Sequence, residues 1–293
     1  MERSLSRLDS GSHTTGFSSR VRPSKSYVPF DALIVQDLAV IRLCRSYFPE
    51  LVLHASTQMG FQNSAGLKIA KELGVTRVVL ERQMTIEEIA EVKKSTDLEL
   101  EVFIHGALCA SLSGQCLFSS YLGGYSGNRG KCKQPCRRRY FSKNGNGFFF
   151  SPQDLCSIDM LPRLREIGVA SLKIEGRLKQ PDYVKQTVGA YRMLLDAPPE
   201  EFPKRIGEAR NMLSKGCGRK WSLGFFSKDS ARGLIQHDAL GAAVSSALRE
   251  AALPALRVRD DTEKPLPRPS YRIDLAVADE ARTAEYAERG AEV

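Results

Sequence analysis

Four of the seven cysteines in this chain fall between residues 109 and 136: Cys109, Cys116, Cys132 and Cys136. The stretches that link them are rich in Gly, Ser and Asn. Because such stretches can fold back on themselves, four sulfur atoms can converge at the distance of about 2.3 Å that zinc or iron requires. Zinc sites usually contain two short Cys-x2-4-Cys pairs, and only Cys132 with Cys136 resembles one, so the spacing favours an iron-sulfur cluster.

Two other interpretations of the cysteines stay open at the level of sequence. They could be separate buried side chains, as single cysteines such as Cys44, Cys156 and Cys217 usually are. One of them could be a nucleophile that pairs with His105 or His54, since such pairs meet in space and not in sequence. The residue types therefore indicate a thiolate site whose occupant is a cluster, zinc or nothing.

A basic stretch, "RGKCKQPCRRRYFSK", runs from Arg129 to Lys143 and includes the last two of these cysteines. It contains seven Lys or Arg and no acid, in a chain whose formal net charge is +9. Arginine suits phosphate binding, and it can offset the negative charge of a thiolate site. We expect Arg129, Arg137, Arg138 and Arg139 to bind substrate, the alternative being a solvated surface.

Polar side chains also recur at every second position in two short apolar segments. Such alternation places them on one face of a strand, where they line a pocket, pair with one another or form a buried polar layer. Asn128, in the stretch between the two halves of the cysteine site, either holds that stretch in place or contacts substrate. The alternating residues are His54, Ser56 and Gln58 in one segment and Lys173, Glu175 and Arg177 in the other.

Strands that alternate with helices must position these residues. Such alternation is typical of βα units and a parallel sheet. The cysteines follow a predicted strand that ends at Gly106, and the carboxyl ends of strands carry the ligand-binding loops of a TIM-like barrel. The predicted fold is therefore α/β, a TIM-like (β/α) barrel or part of one, with about six of the eight strands. Strands are predicted at 31–37, 51–57, 77–81, 98–106, 148–155 and 171–176, and helices at 38–48, 63–74, 85–95 and 181–196.

Composition predicts the organisation of the whole chain. We expect a disordered, Ser-rich leader at 1–28, the partial barrel with the cysteine site at 29–198, a smaller C-terminal region at 199–252, and a linker with the start of a further domain at 253–293. No stretch is apolar enough for a membrane span or a secretory signal. This indicates a cytoplasmic protein with reduced thiols, no disulfide-linked partner, and nucleic acid or another polyanion as its partner.

Four blocks of the sequence resemble the signature of the collagenase-like peptidase family U32, in the same order. The resemblance implies a TIM-barrel-like fold and a 4Fe-4S cluster bound by the four clustered cysteines. It is strongest with the ribosomal RNA branch of the family, which makes 5-hydroxycytidine in the large-subunit RNA. The implied function is hydroxylation of an RNA base. The blocks are "EVFIHGALCASLSGQCLFS", "GNRGKCKQPCR", "SPQDL" and "SLKIEGR".

Other functions remain alternatives within this resemblance. The family name records collagenase activity, for which His105 and Glu175 are our acid-base candidates, although no Ser-His-Asp grouping or His-Glu-x-x-His motif is present. A structural zinc or cluster-binding accessory protein is the second alternative. The family barrel normally begins with further βα units before the equivalent of "DALIVQD", so the resemblance predicts a barrel without its first strands. Either the sequence is a fragment, its start is displaced, or a partner chain completes the barrel.

Overall fold

The computed structural model describes residues 31–143, 145–176, 179–214 and 219–235, all within one compact unit. The strands are β1 (Leu33–Val35), β2 (Leu53–Ala55), β3 (Arg77–Val79), β4 (Glu99–Ala107), β5 (Tyr140–Ser142), β6 (Gly145–Gly147), β7 (Asp154–Cys156), β8 (Ser171–Ile174) and β9 (Trp221–Ser222). The helices are α1 (Leu38–Tyr47), α2 (Ser64–Glu72), α3 (Ile86–Lys94), α4 (Phe118–Tyr121), α5 (Leu161–Ile167), α6 (Pro181–Asp196), α7 (Phe202–Ser214) and α8 (Lys228–Arg232). Short 3-10 turns lie at Thr57–Met59, Pro135–Arg137, Ile158–Met160 and Pro199–Glu201.

The predicted parallel sheet is confirmed for five strands, in the order β1-β2-β3-β4-β8. Strand β4 is nine residues long, and its C-terminal half extends past its neighbour β3. There β4 pairs antiparallel with β7, His105 opposite Cys156, and β9 then pairs parallel with β7. The expectation that the segment around "SPQDL" would add a parallel strand was therefore wrong. Parallel pairing requires a crossover, usually a helix, whereas helix α4, within the segment between β4 and β7, has only four residues.

Alternation along the short strands separates the two faces of the sheet. Leu33, Val35, Ala55, Val78 and Leu100 lie on one face and are almost fully buried. They belong to one hydrophobic core together with apolar residues of α1, α2 and α3. The opposite face is the polar one, and it carries His54, Arg77 and Glu99 in register.

Local capping explains why the helices begin and end where the sequence predicts. The Asp37 side chain caps α1 by accepting from the amides of Ala39 and Val40. Thr85 and Glu88 form a reciprocal capping box at the start of α3. Gly74, after α2, has φ +77°, the left-handed conformation that ends helices.

Two details of the predicted elements were wrong. Strand β2 ends at Ala55, and Ser56 instead caps a 3-10 turn by accepting from the Gln58 amide at 3.3 Å, so His54, Ser56 and Gln58 do not alternate on one strand. Residues 148–153 do not extend β7, because Pro152 lacks the N–H that a strand ladder uses. Helix α5 and the β5–β6 hairpin were not predicted.

The described residues form an α/β fold whose main sheet is open and contains both parallel and antiparallel strand pairs, and not a closed barrel. Among the described helices, none is long and apolar enough to span a membrane. The predictions for the leader at 1–28 and for 253–293 concern segments outside the described residues, as do residues 236–252 of the predicted C-terminal region.

Candidate metal centre

Strand β4 leads directly into the first half of the cysteine site. Gly106, near its end, has φ +107°, and a Cβ atom there would lie 2.4 Å from the Glu175 carbonyl oxygen at the end of β8. Only glycine permits this close approach of the two strand ends. The chain then passes through the buried Leu108 to Cys109.

The loop between Cys109 and Cys116 is held by a buried carboxylate that follows β3. Glu81 accepts hydrogen bonds from the Ser113 amide at 2.9 Å and from its hydroxyl at 3.1 Å. Gly114 has φ +78°, and a Cβ atom there would lie 2.2 Å from the Gln58 carbonyl oxygen. The loop backbone therefore lies directly against the segments that follow β2 and β3.

Asn128 joins the second half of the site to the first. Its Oδ1 accepts from Gln58 Nε2 at 2.9 Å, and its Nδ2 donates to the Gly114 carbonyl at 2.9 Å. Of the two roles considered for Asn128, the structure gives it the one of holding the loop. Ser119, buried in α4, makes a second link, because its hydroxyl accepts from the Lys133 amide at 3.1 Å and lies 3.6 Å from Cys132 Sγ.

Arg137, next to Cys136, connects the last cysteine to the first. Its side chain is 6% exposed, and Nη2 donates to the carbonyl of Leu108 at 2.7 Å. Nη1 donates to the Ser151 hydroxyl at 3.1 Å and to the Pro152 carbonyl. The expectation that Arg137 binds substrate is therefore corrected: its guanidinium faces protein carbonyls in the interior.

The other three clustered cysteines lie near enough to Cys136 to act on its charge. Burial, and then charge repulsion from the sulfurs of Cys109, Cys132 and Cys116, together raise the pKa of Cys136 to about 11, against the lowering effect of Arg137. Cys132 is exposed and the other three are partly buried, and all four are free thiols.

The chemistry of these free thiols fits a soft metal or an iron-sulfur cluster. Cys132 Sγ already accepts the Gln134 amide at 3.3 Å, the type of bond that stabilises a ligating thiolate. In the described residues, no three Cys, His, Asp or Glu side chains lie close enough together to hold a metal ion as they stand. The described geometry is therefore not that of a closed site for a single metal ion.

The two acid-base candidates have partners inside the protein. His105 is 3% exposed, its Nδ1 lies 3.3 Å from the Tyr191 hydroxyl, and burial lowers its pKa to about 4. Glu175 forms an ion pair with Arg82 at 3.5 Å. His105 is therefore a neutral packed ring at neutral pH.

The remaining candidates divide between ion pairs and surface. Lys173 forms an ion pair with Glu101 of β4 at 2.7 Å, which fits the expected pairing but with a partner on the neighbouring strand. Arg129 and Arg139 are exposed, and Arg138 is partly exposed. Arg177 lies outside the described residues.

Comparison with known proteins identifies the family. The model of peptidase family U32 matches residues 23–236. The chain belongs to peptidase family U32. This U32 chain spans about half the length of the first curated relatives that it matches.

Relatives of this U32 chain include proteins named for RNA hydroxylation. The chain is 39% identical over 210 residues to tRNA hydroxylation protein P1 of Bacillus subtilis, covering 66% of the chain and 50% of that protein. It is 40% identical over 178 residues to 23S rRNA 5-hydroxycytidine C2501 synthase of Escherichia coli, covering 58% of the chain and 27% of that protein. A collagenase of Porphyromonas gingivalis is 30% identical over 57% of the chain and 44% of its own length.

Solved structures give a weaker comparison. The U32 peptidase Mk0906 aligns with a TM-score of 0.24 and 14% identity, over 27% of this chain and 32% of that one. The 3-keto-L-gulonate-6-phosphate decarboxylase of Vibrio cholerae aligns with a TM-score of 0.27 and 13% identity, over 64% of this chain and 86% of that one.

Sequence reasoning missed the residues that hold the cysteine loops. Glu81, Ser113 and Ser119 are buried polar groups whose partners lie far away in the chain. A carboxylate at the C-terminal end of the predicted strand 77–81 was the available signal for Glu81, since such positions lie at the site edge of a parallel sheet.

Proposed function

We propose that Cys109, Cys116, Cys132 and Cys136 bind a 4Fe-4S cluster in this U32 chain. The observation that carries the proposal is that hydrogen bonds of Glu81, Asn128 and Arg137 hold the two cysteine loops together. The other three sulfurs lie near enough to Cys136 to raise its pKa. A cluster supplies one-electron chemistry, and the protein tunes it through hydrogen bonds and nearby charge. The Gln134 amide and the Arg137 guanidinium would each stabilise the negative charge of the thiolates.

We further propose that the chain takes part in hydroxylating a pyrimidine base of RNA, 5-hydroxycytidine of large-subunit ribosomal RNA being the specific product. A protein named for tRNA hydroxylation is 39% identical to the chain, and one named for rRNA modification is 40% identical. These similar values support an RNA substrate, but they favour neither tRNA nor rRNA. The exposed Arg129 and Arg139 next to the cysteines suit a polyanionic substrate.

A third part of the proposal concerns the barrel. We propose that β1, β2, β3, β4 and β8 belong to a (β/α) barrel whose remaining strands are not among those described. A partner chain that adds strands beside β1 would cover the polar face, where His54 Nδ1 is buried without a hydrogen-bond partner. Native mass spectrometry of the full chain, purified together with whatever binds it, would test this by showing whether a partner chain is present. A stable, active monomer would contradict the proposal.

Metal analysis tests the cluster. The full chain, purified without oxygen, should be brown and contain iron and sulfide but no zinc. Cys132→Ala should lose both iron and colour, whereas Cys44→Ala, at a buried cysteine of α1, should keep them. Iron and sulfide both absent after reconstitution would rule out the cluster, and a colourless zinc protein would support the structural-zinc alternative.

The peptidase alternative makes the opposite prediction. Collagenase-like activity should survive Cys132→Ala and need no iron, whereas an RNA hydroxylation enzyme should lose the modified base with its iron. A neutral, packed His105 is poorly suited to act as an exposed general base. Gelatin cleavage by an iron-free chain would favour the peptidase.

A further inference from the structure

The β5–β6 hairpin that follows Cys136 has an inner and an outer face. Tyr140 points inward, is 3% exposed, and packs against Phe118 and Phe150 with ring centroids 6.1 and 5.3 Å away. Because alternate residues of an extended segment face opposite sides, Arg139 and Phe141 point outward.

The outer face combines aromatic rings with positive charge. Phe141 is 42% exposed, and the guanidinium carbon of the exposed Arg139 lies 5.5 Å from the centroid of the Phe148 ring. We call Arg139, Phe141 and Phe148 the hairpin platform. Large exposed aromatic side chains without a core to fill are typical of binding surfaces.

We propose that the hairpin platform binds single-stranded RNA by stacking unpaired bases that flank the target base. The inference rests on the proposed function, since it takes RNA as the substrate and names the form in which the RNA is bound. Aromatic and guanidinium planes stack on bases of any sequence, but a base inside a duplex has no free face to offer.

Charge selects a polyanion over an apolar protein partner for this surface. Residues 129–143 include seven basic residues and no acid, and Arg137 is the one buried among them. Another cation-aromatic contact lies near Cys132. The Nζ atom of Lys133, the next residue, is 4.4 Å from the centroid of the Tyr125 ring.

The platform is close to the cysteines. Arg139 follows Cys136 by three residues, which limits their separation to roughly 11 Å even for an extended chain. Burial and the neighbouring Cys136 sulfur both raise the pKa of Tyr140, on the inner face, to about 12. A base stacked on the platform would therefore lie next to a base held at the cysteine site.

RNA binding by the full chain tests the proposal. Fluorescence anisotropy would compare a labelled oligouridine strand with the same strand paired to oligoadenosine. Phe141→Ala should weaken binding of the single strand by about tenfold, the range expected for one lost stacking contact, and leave duplex binding unchanged. Phe141→Trp should retain binding, and Tyr47→Ala, at an exposed aromatic of α1, should bind like the unaltered chain.

Three outcomes would overturn the proposal. Unchanged single-strand binding in Phe141→Ala would show that the platform does not contact RNA. Equal weakening of single-strand and duplex binding would show that Phe141 does not act by stacking on unpaired bases. Binding of polyglutamate with the same dependence on Phe141 would point to an acidic protein partner.

The same preparations separate this proposal from the proposed function. Binding is measured without turnover, and iron content is measured on each sample. Base stacking that persists while iron is absent and RNA stays unmodified would overturn the proposed function alone. Modification that persists when Phe141 is replaced and binding is unchanged would overturn the platform alone.

Discussion

At the scale of single residues, the neighbouring Arg137, Arg138 and Arg139 differ in how deeply their side chains are buried. Arg137 is buried and donates to the carbonyl of Leu108, next to Cys109. Arg138 is partly exposed, and Arg139 is exposed. A planar fork of donors can reach several carbonyl and hydroxyl oxygens at once, which the single ammonium group of lysine cannot do.

Arg137→Lys should therefore destabilise the protein and the metal centre together. We expect the free energy of unfolding to fall by about 3 kcal/mol, because charge-assisted hydrogen bonds to buried groups are lost. Iron content should fall in the same variant. Chemical denaturation and iron analysis would measure both, with Arg139→Lys as the matched control, which should change stability by less than about 0.5 kcal/mol. Equal effects of the two substitutions would contradict the structural role of Arg137.

His105 should make the protein sensitive to acid. Its pKa of about 4 in the folded state lies below the value of about 6.5 expected in the unfolded chain, so the unfolded state binds the proton more readily between these values. Stability should fall by up to about 3 kcal/mol as the pH drops from 6.5 to 4. Denaturation of His105→Gln across this range should show a shallower loss, and parallel curves for the two proteins would disprove the assignment.

At the scale of elements, the sequence predicted what depends on local structure and missed what depends on distant contacts. The Thr85 capping box and Gly74 act within one helical turn, so α3 begins and α2 ends within two residues of the predicted positions. The bond from Ser113 to Glu81 spans 32 residues and carries no local pattern. For the same reason the four cysteines were recognisable as a group, while the groups that hold their loops were not.

Gly114→Ala should disturb the first cysteine loop specifically. A Cβ atom at Gly114 would lie 2.2 Å from the Gln58 carbonyl oxygen, so one of the two segments must move. Gly124→Ala is a matched control, because Gly124 has a similar φ of +74° but nothing within 4 Å of the added carbon. Both variants carry the backbone cost of about 1 to 2 kcal/mol, and only Gly114→Ala should also lose iron. Iron loss in both, or in neither, would contradict the role of this close approach.

At the scale of the whole molecule, the two features to which we assign partners, the basic segment and the open sheet edge, lie in different parts of the chain. The basic residues of 129–143 lie in one sequence segment beside the cysteines, and the sheet pairs β1 on one side only among the described strands. The proposed binding of RNA and the proposed completion of the sheet would therefore involve different parts of the protein. The two can be tested in separate experiments.

RNA binding should be strongly salt-dependent. If the basic residues of 129–143 other than Arg137 all contact phosphate, log K against log salt should have a slope of at most about −4 for a single strand. Titrations of the full chain with oligouridine at several salt concentrations would measure the slope. Arg139→Ala should reduce the magnitude of this slope by about 0.7, the value expected for one phosphate contact on a single strand, while Lys68→Ala on α2 should leave the slope unchanged. A slope near zero would contradict a phosphate-binding role for this segment.

The links that hold the cysteine loops also imply an order in time. The bonds from Arg137 to Leu108, Ser113 to Glu81 and Gln58 to Asn128 join residues that are 29, 32 and 70 positions apart. A loop cannot become ordered before the distant segments that hold it, and closing such loops costs entropy that only an assembled sheet repays. We therefore expect the thiols to be gathered late in folding, so that the proposed cluster would be inserted into a protein that already has its sheet.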